Sequence, residues 1–327
     1  MKIGIIGSGV IVLEALKSIA LAGTSECTAL WSRSVDLTGA ENLKAQFNIP
    51  RLYTDLDEFL QDDTFDVVYI GVINSLHYFN AKKALLAGKH VICEKPFTPT
   101  GAEAKELIDL AKEKHLFLFE AIMLRYTDNY ELIRSRLPEL GDIKMVQCNY
   151  SQYSRRYDKY LEGIVLPAFD PKLAGGCIYD INIYNIHFTM GLFGRPQSYK
   201  YFPNIGFNGI DVSGILILDY GTFKAVCVGA KDSNSKAGCT IQGVKGYLNV
   251  DSMPGQVQNL SLVFNAQEPQ KIGEKLDDIM VNEFIKIDQI VSSKNYSLCY
   301  QYLDITYDVM DVVEKAREEA GVYFDRN

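Results

Sequence analysis

Gly7-Ser8-Gly9 stands between an apolar run, Lys2–Ile6, and a helical pattern that opens at Val10; this context makes a short glycine pair a candidate phosphate loop. Glycine lets the backbone approach a pyrophosphate closely. A helix start there offers the unpaired amides of Val10 and Ile11 and a positive dipole end. The third glycine of such a loop, which allows close packing of helix on strand, is replaced by Val12, so either the helix moves outward or small neighbours absorb the side chain. The next apolar run, Cys27–Trp31, leads into Ser32-Arg33-Ser34, with no acid before Asp36. An NAD-specific chain carries Asp or Glu there for the ribose hydroxyls, whereas a hydroxyl followed by a guanidinium suits a 2′-phosphate through forked, charge-assisted bonds. Ser32 and Arg33 therefore favour NADP, with NAD as the alternative. Asn74, His77, Glu94 and Lys95 follow further strand ends, where ligands gather in open α/β sheets, and join the candidate cofactor neighbours.

These residues need a parallel sheet to hold them. From Lys2 to Ala121, short β-branched runs (Lys2–Ile6, Cys27–Trp31, Val67–Val72, His90–Cys93, Phe117–Ala121) alternate with helical patterns (Val10–Ala22, Leu37–Phe47, His77–Ala87, Thr100–Glu113), the signature of βαβ units. Gly23 and Gly88 stand where left-handed caps stop helices. After Ala121 the runs Ile143–Tyr153, Val212–Leu218 and Thr222–Ala230 read as strands that come in sequence without intervening helices, which predicts largely antiparallel pairing, and Asp219-Tyr220-Gly221 reads as a hairpin turn. The fold class is thus an α/β Rossmann domain over residues 1–122, followed over residues 123–327 by an α+β domain with a large, mostly antiparallel open sheet. Two helices, Glu274–Ser293 and Ser297–Glu319, close the chain.

A length of 327 residues with 47% hydrophobic content supports two cores. Net charge −8, from 33 basic and 41 acidic residues, argues against a nucleic-acid or anionic-membrane partner. No apolar run is long enough to span a bilayer, and the first strand at Lys2 leaves no room for a cleavable signal, so a cytoplasmic protein is expected. The seven cysteines are dispersed, with no C-x-x-C and no His pair, and read as reduced thiols rather than metal ligands.

Glu94-Lys95-Pro96 at the end of the fifth strand, and Ala174-Gly175-Gly176-Cys177-Ile178-Tyr179-Asp180-Ile181-Asn182-Ile183-Tyr184 in the second domain, resemble the two hallmark elements of the Gfo/Idh/MocA oxidoreductases. Asn74-Ser75-Leu76-His77, Glu120-Ala121 with Arg125, Gly243-Val244-Lys245-Gly246 and Ala320-Gly321-Val322-Tyr323 extend the resemblance along nearly the whole chain. Ala174 and Asn182 depart from glycines of the pattern, and Ile73 from a frequent proline. The resemblance implies that Lys95 and Tyr184 perform acid–base work. The chemistry agrees: a carbonyl receiving hydride needs a proton, and a tyrosine with pKa near 10 exchanges one at neutral pH only beside a cation. Asp180, four residues before Tyr184, shares a face with it if one helix carries both, and then binds a substrate hydroxyl or orients Lys95. Arg125 is a substrate-side or interdomain residue, and His187 a rival acid.

Tyr rather than His at position 184 resembles the branch with dimeric dihydrodiol dehydrogenases and glucose–fructose oxidoreductase, which implies NADP and a sugar, polyol or trans-dihydrodiol as the small-molecule substrate. An NAD-linked inositol or amino-sugar dehydrogenase and a non-catalytic dinucleotide sensor are the alternatives; retention of both Lys95 and Tyr184 weighs against the sensor. An open sheet with helices on one face implies a homodimer or homotetramer formed through the other.

Overall fold

The computed structural model describes residues 1–275 and 278–325, so Leu276 and Asp277, inside the helix expected over Glu274–Ser293, lie outside the described residues, as do Arg326 and Asn327. The chain divides into two compact units, Met1–Ala121 with Met280–Tyr307, and Ile122–Ile279 with Asp308–Asn327.

The first unit alternates β1 (Lys2–Ile6), α1 (Val10–Ala22), β2 (Glu26–Trp31), α2 (Leu37–Phe47), β3 (Arg51–Tyr53), α3 (Leu56–Gln61), β4 (Val67–Ile70), α4 (His77–Leu86), β5 (His90–Glu94), α5 (Gly101–Glu113) and β6 (Leu118–Ala121). The strands lie in the order β3-β2-β1-β4-β5-β6, and every pair is parallel. In β1 and β4 nearly every residue is buried, as strands covered on both faces require. The order reverses between β1 and β4, where adjacent crossovers leave opposite faces and a crevice opens at the carboxyl ends of the strands. Helices α1 and α2 have the expected bounds, and Gly23 (φ 65°) and Gly88 (φ 80°) adopt the left-handed conformation. Two short elements escaped the sequence reading, β3 and α3. The second starts where Asp55 accepts hydrogen bonds from the amides of Asp57 and Glu58.

The second unit contains α6 (Asp128–Arg136), β7 (Ile143–Ser151), α7 (Tyr157–Leu161), α8 (Cys177–Asp180), α9 (Asn182–Phe193), β8 (Ser198–Ile205), β9 (Asp211–Asp219), β10 (Lys224–Ala230), β11 (Gly238–Gly243), β12 (Gly246–Val250), β13 (Leu260–Phe264) and β14 (Gln270–Ile272). Its sheet runs β14-β13-β12-β11-β7-β10-β9-β8, antiparallel throughout except for the β7–β10 pair. The Asp219-Tyr220-Gly221 turn joins β9 to β10 as expected, with Gly221 at φ 78°. Cys148, Cys227, Cys239, Tyr201 and Leu216 face inward and are buried, and α9 packs on β7 and β10. On the opposite face of the sheet Phe202, Ile215 and Tyr247 are exposed.

Helices α10 (Ile279–Ser292) and α11 (Tyr296–Glu319) close the chain, and the part of them up to Tyr307 belongs to the first unit. Tyr296 stacks on Phe117 with ring centroids 4.0 Å apart, Cys299 Sγ donates to the Leu118 carbonyl (3.2 Å), and Thr306 Oγ1 donates to Glu120 Oε2 (2.8 Å). A sequence division at residue 122 carries no sign of this return.

Candidate active site

Four loops meet at the carboxyl edge of the parallel sheet. After β1 the chain turns through Gly7 at φ 120°, where a Cβ would stand 2.4 Å from the Gly71 carbonyl oxygen, so no other residue fits. Gly9 caps α1 with no side-chain hydrogen bond, no acid occupies the first turn, and a Cβ on Gly9 would meet nothing within 4 Å. The first-turn amides of Val10 and Ile11 thus face a space open to an anion, which is the donor set a pyrophosphate needs. Val12 is fully buried and does fit. A Cβ on Gly71, just past β4, would lie 2.8 Å from Val12 Cγ2, so the missing side chain at Gly71 supplies the room that the usual glycine at position 12 gives.

Ser32 is buried and its Oγ lies 3.0 Å from Ser8 Oγ, tying the end of β2 to the glycine loop. Arg33 is exposed and forks onto one carboxylate oxygen of Asp36, through Nε at 3.0 Å and Nη2 at 2.8 Å. After β4, Asn74–Leu76 form a 3-10 turn that leads into His77. The His77 ring is buried between two carbonyls, Pro96 (2.8 Å from Nδ1) and Val72 (3.1 Å from Nε2), and burial holds its pKa below the ordinary value although both carbonyls favour the charged ring. Glu94 accepts from the Tyr69 hydroxyl (2.6 Å) and from the Lys95 amide (3.1 Å); burial pushes its carboxyl up, against the pull of Tyr69 and Lys95. His77 and Glu94 thereby brace the turn that carries Lys95.

In the second unit the hallmark segment is fixed from below. Gly176, at φ 109°, leaves space for Asp211, whose Oδ1 would lie 2.3 Å from a Cβ there. The buried Asp211 Oδ2 accepts from the Ile178 amide and the Tyr201 hydroxyl, each at 2.7 Å, and so anchors the start of α8. Ala174, standing for a glycine, is left-handed at φ 54° and ψ 44°. A single helix carrying Asp180 and Tyr184 on one face is not what forms. Ile181 (φ −123°, ψ −36°) breaks the helix, leaving Asp180 at the end of α8 and Tyr184 in the first turn of α9. The break accompanies a polar seat: buried Asn182 donates to the Cys227 carbonyl (3.2 Å), and Asn185 donates to the Val228 carbonyl (2.8 Å) and to Asn182 Oδ1 (2.7 Å). Asn182 in place of glycine is accommodated because Gly229 faces it, where a Cβ would come within 2.6 Å of the Asn182 Cβ.

Tyr184 is nearly buried, with its ring 5.7 Å from that of Tyr150 and closely backed by Gly255. Arg125 and His187 are buried together, Arg125 Nη2 lying 3.3 Å from His187 Nδ1. A guanidinium only donates, so Nδ1 carries no proton, which weakens His187 as a rival acid. The sequence reading missed Lys231. Its Nζ is buried 2.7 Å from Asp180 Oδ2, donates to the Ala168 carbonyl, and lies 4.1 Å from the centre of the Phe169 ring. The period of β10 held the signal: Ala225, Cys227 and Gly229 point inward, and position 231 continues that phase with a charge.

Residues 1–121 match the family described as an oxidoreductase family with an NAD-binding Rossmann fold. Scyllo-inositol 2-dehydrogenase (NADP(+)) of Bacillus subtilis is 36% identical to this chain over 335 residues, which span 99% of the chain and 98% of that protein. Trans-1,2-dihydrobenzene-1,2-diol dehydrogenase of Xenopus tropicalis is 31% identical over 222 residues, 66% of this chain and 65% of that protein. Among solved structures, KijD10, a 3-ketoreductase from Actinomadura kijaniata in complex with NADP and TDP-benzene, superposes with a TM-score of 0.84 over 97% of both chains at 20% identity, a likeness of fold.

Proposed function

This chain belongs to the Gfo/Idh/MocA oxidoreductases, and from that premise we propose that it interconverts a secondary hydroxyl and a carbonyl on a cyclic polyol or sugar-like substrate with NADP(H). The observation that carries this reading is the meeting of the open glycine loop, Ser32-Arg33, Asn74–His77 and Glu94-Lys95 at the carboxyl edge of one parallel sheet. Supporting it, the relative alike along the whole chain is named for an inositol and NADP(+). The uncapped start of α1 suits the pyrophosphate and Arg33 the 2′-phosphate; once bound, the nicotinamide takes up or supplies the hydride.

The remaining work falls to side chains of this chain. Lys95 hydrogen-bonds the reacting oxygen and stabilises negative charge on it. The Tyr184 phenolate, favoured by the Lys95 ammonium, takes the proton from that oxygen in oxidation, and the hydroxyl so formed returns it in reduction. Asp180 accepts a hydrogen bond from a neighbouring substrate hydroxyl, and Arg125 lines the substrate side. His77 and Glu94 act by bracing Lys95, and Ser32 by bracing the loop at Ser8. The same reading has the enzyme working in the cytoplasm as a homodimer or homotetramer joined through the exposed face of the eight-stranded sheet that bears Phe202, Ile215 and Tyr247.

The test is a panel of inositols, sugars and trans-dihydrodiols followed at the nicotinamide absorbance with NADP(+) and NAD(+) side by side. Turnover of an inositol with preference for NADP(+) is expected. Binding of NADPH without turnover of any polyol, sugar or diol would contradict the enzyme reading and favour the sensor.

A further inference from the structure

A lysine with only 2% of its side chain exposed needs a reason, because taking an ammonium out of water is costly unless it is paired and hydrogen-bonded. Lys231 has such partners. Its Nζ contacts Asp180 Oδ2 at 2.7 Å, donates to the Ala168 carbonyl, and rests on the face of Phe169. Its backbone is fixed just as firmly, the amide donating to the Val212 carbonyl (2.9 Å) and the carbonyl accepting from the Ser154 amide (2.8 Å). The ammonium is therefore carried on an extension of β10, and the residue it reaches is the last of α8, immediately before the break at Ile181.

The other acids near it are already engaged. Asp211 Oδ2 is held by Ile178 and Tyr201, and Asp232 accepts from Ser213 and Ser233. Asp180 differs from Asp211 in keeping 28% of its side chain exposed. A cation fixed on the sheet side of a partly exposed carboxylate restricts its rotation and keeps it an acceptor.

We propose that Lys231 is a positioning residue for the reaction, holding Asp180 in the orientation that accepts a hydrogen bond from the substrate hydroxyl adjacent to the reacting carbon. The proposal rests on the reading of Asp180 as a substrate ligand. It assigns the loss caused by removing Lys231 to substrate binding through Asp180, and none of it to the dinucleotide.

The experiment compares Lys231→Met, Asp180→Asn and the double variant, with scyllo-inositol and NADP(+) as probes. Lys231→Met should lower kcat/KM about ten- to a hundredfold, the scale of a misplaced substrate contact, mostly through KM and with the Kd for NADP(+) unchanged. In the Asp180→Asn background the same substitution should cost nothing further, since its target is gone. Equal fold-losses in both backgrounds would overturn the role of Lys231 while leaving Asp180 as a ligand. An Asp180→Asn variant with ordinary KM would remove Asp180 from the site and the proposal with it. If Lys231→Met does not fold, Lys231→Gln, which keeps a donor without the charge, meets the same outcomes.

Discussion

The carboxyl edge of the first unit and the α8–α9 break of the second both immobilise polar groups, and they recruit their supports from different distances. Around Lys95 the braces are close in sequence: His77 reaches Pro96 across 19 positions and Tyr69 reaches Glu94 across 25. Around Asp180 and Tyr184 the seat comes from strands farther along the chain, with Asn182 reaching Cys227 across 45 positions, Asn185 reaching Val228 across 43, and Ile178 reaching Asp211 across 33. Departures from the family pattern are absorbed in the same way in both units. In the first unit Val12 is accommodated by a glycine at the end of an adjacent strand. In the second, Asn182 depends on Gly229, so the two positions must change together. Each departure is therefore coupled to a glycine that faces it, Val12 to Gly71 and Asn182 to Gly229.

The largest effect is expected at Tyr184. Tyr184→Phe removes one hydroxyl from a nearly buried ring, so folding and NADPH binding should persist while kcat falls roughly 10²–10⁴-fold, as for loss of a general acid. Steady-state kinetics beside a cofactor titration check this, and a parallel loss of NADPH affinity would erase the separation between the two sides. Arg33→Ala is the reciprocal probe. NADPH should bind weaker by about 1.5–3 kcal/mol, the worth of a charged hydrogen bond, with NADH nearly unaffected in calorimetry. Equal losses for both would make Arg33 only the surface partner of Asp36.

Coupling on the substrate side is tested by Gly229→Ala. The new methyl would stand 2.6 Å from the Asn182 Cβ, and the overpacking should cost about 1–3 kcal/mol in denaturant unfolding. Combined with Asn182→Gly, the cost should be smaller than the sum of the two single substitutions by at least about 0.5 kcal/mol. Simple additivity would argue that the two positions are independent. The smallest effect is a gain. Ala174→Gly relieves a left-handed alanine and should stabilise the protein by about 0.5–1 kcal/mol, since glycine's extra freedom in the unfolded chain offsets part of the relief.

The same contrast explains what could be read from the sequence. The glycine loop, the bounds of α1 and α2, the Asp219–Gly221 turn and the order of functional segments follow from patterns confined to a few neighbouring residues. Strand β3 has three residues and α3 six, too short for a period to register. The break at Ile181 accompanies hydrogen bonds to β10 that no local pattern encodes, and Lys231 was hidden because a lysine at the end of an apolar run reads first as a solvated charge. The return of residues 280–307 to the first unit depends on ring stacking and hydrogen bonds with β6 and the segment just before it, which no helical pattern encodes.

The central claim is that Lys95 and Tyr184 act as one unit on the reacting oxygen, and the double variant Lys95→Ala with Tyr184→Phe tests it most directly. Each single substitution should reduce turnover of the polyol found in the panel by roughly 10²–10⁴-fold. The double should be scarcely slower than the worse single, because the lysine serves partly through the tyrosine. Near-normal turnover in both single variants would contradict the account and return His187 to consideration as the acid; a double loss equal to the product of the singles would contradict the joint action.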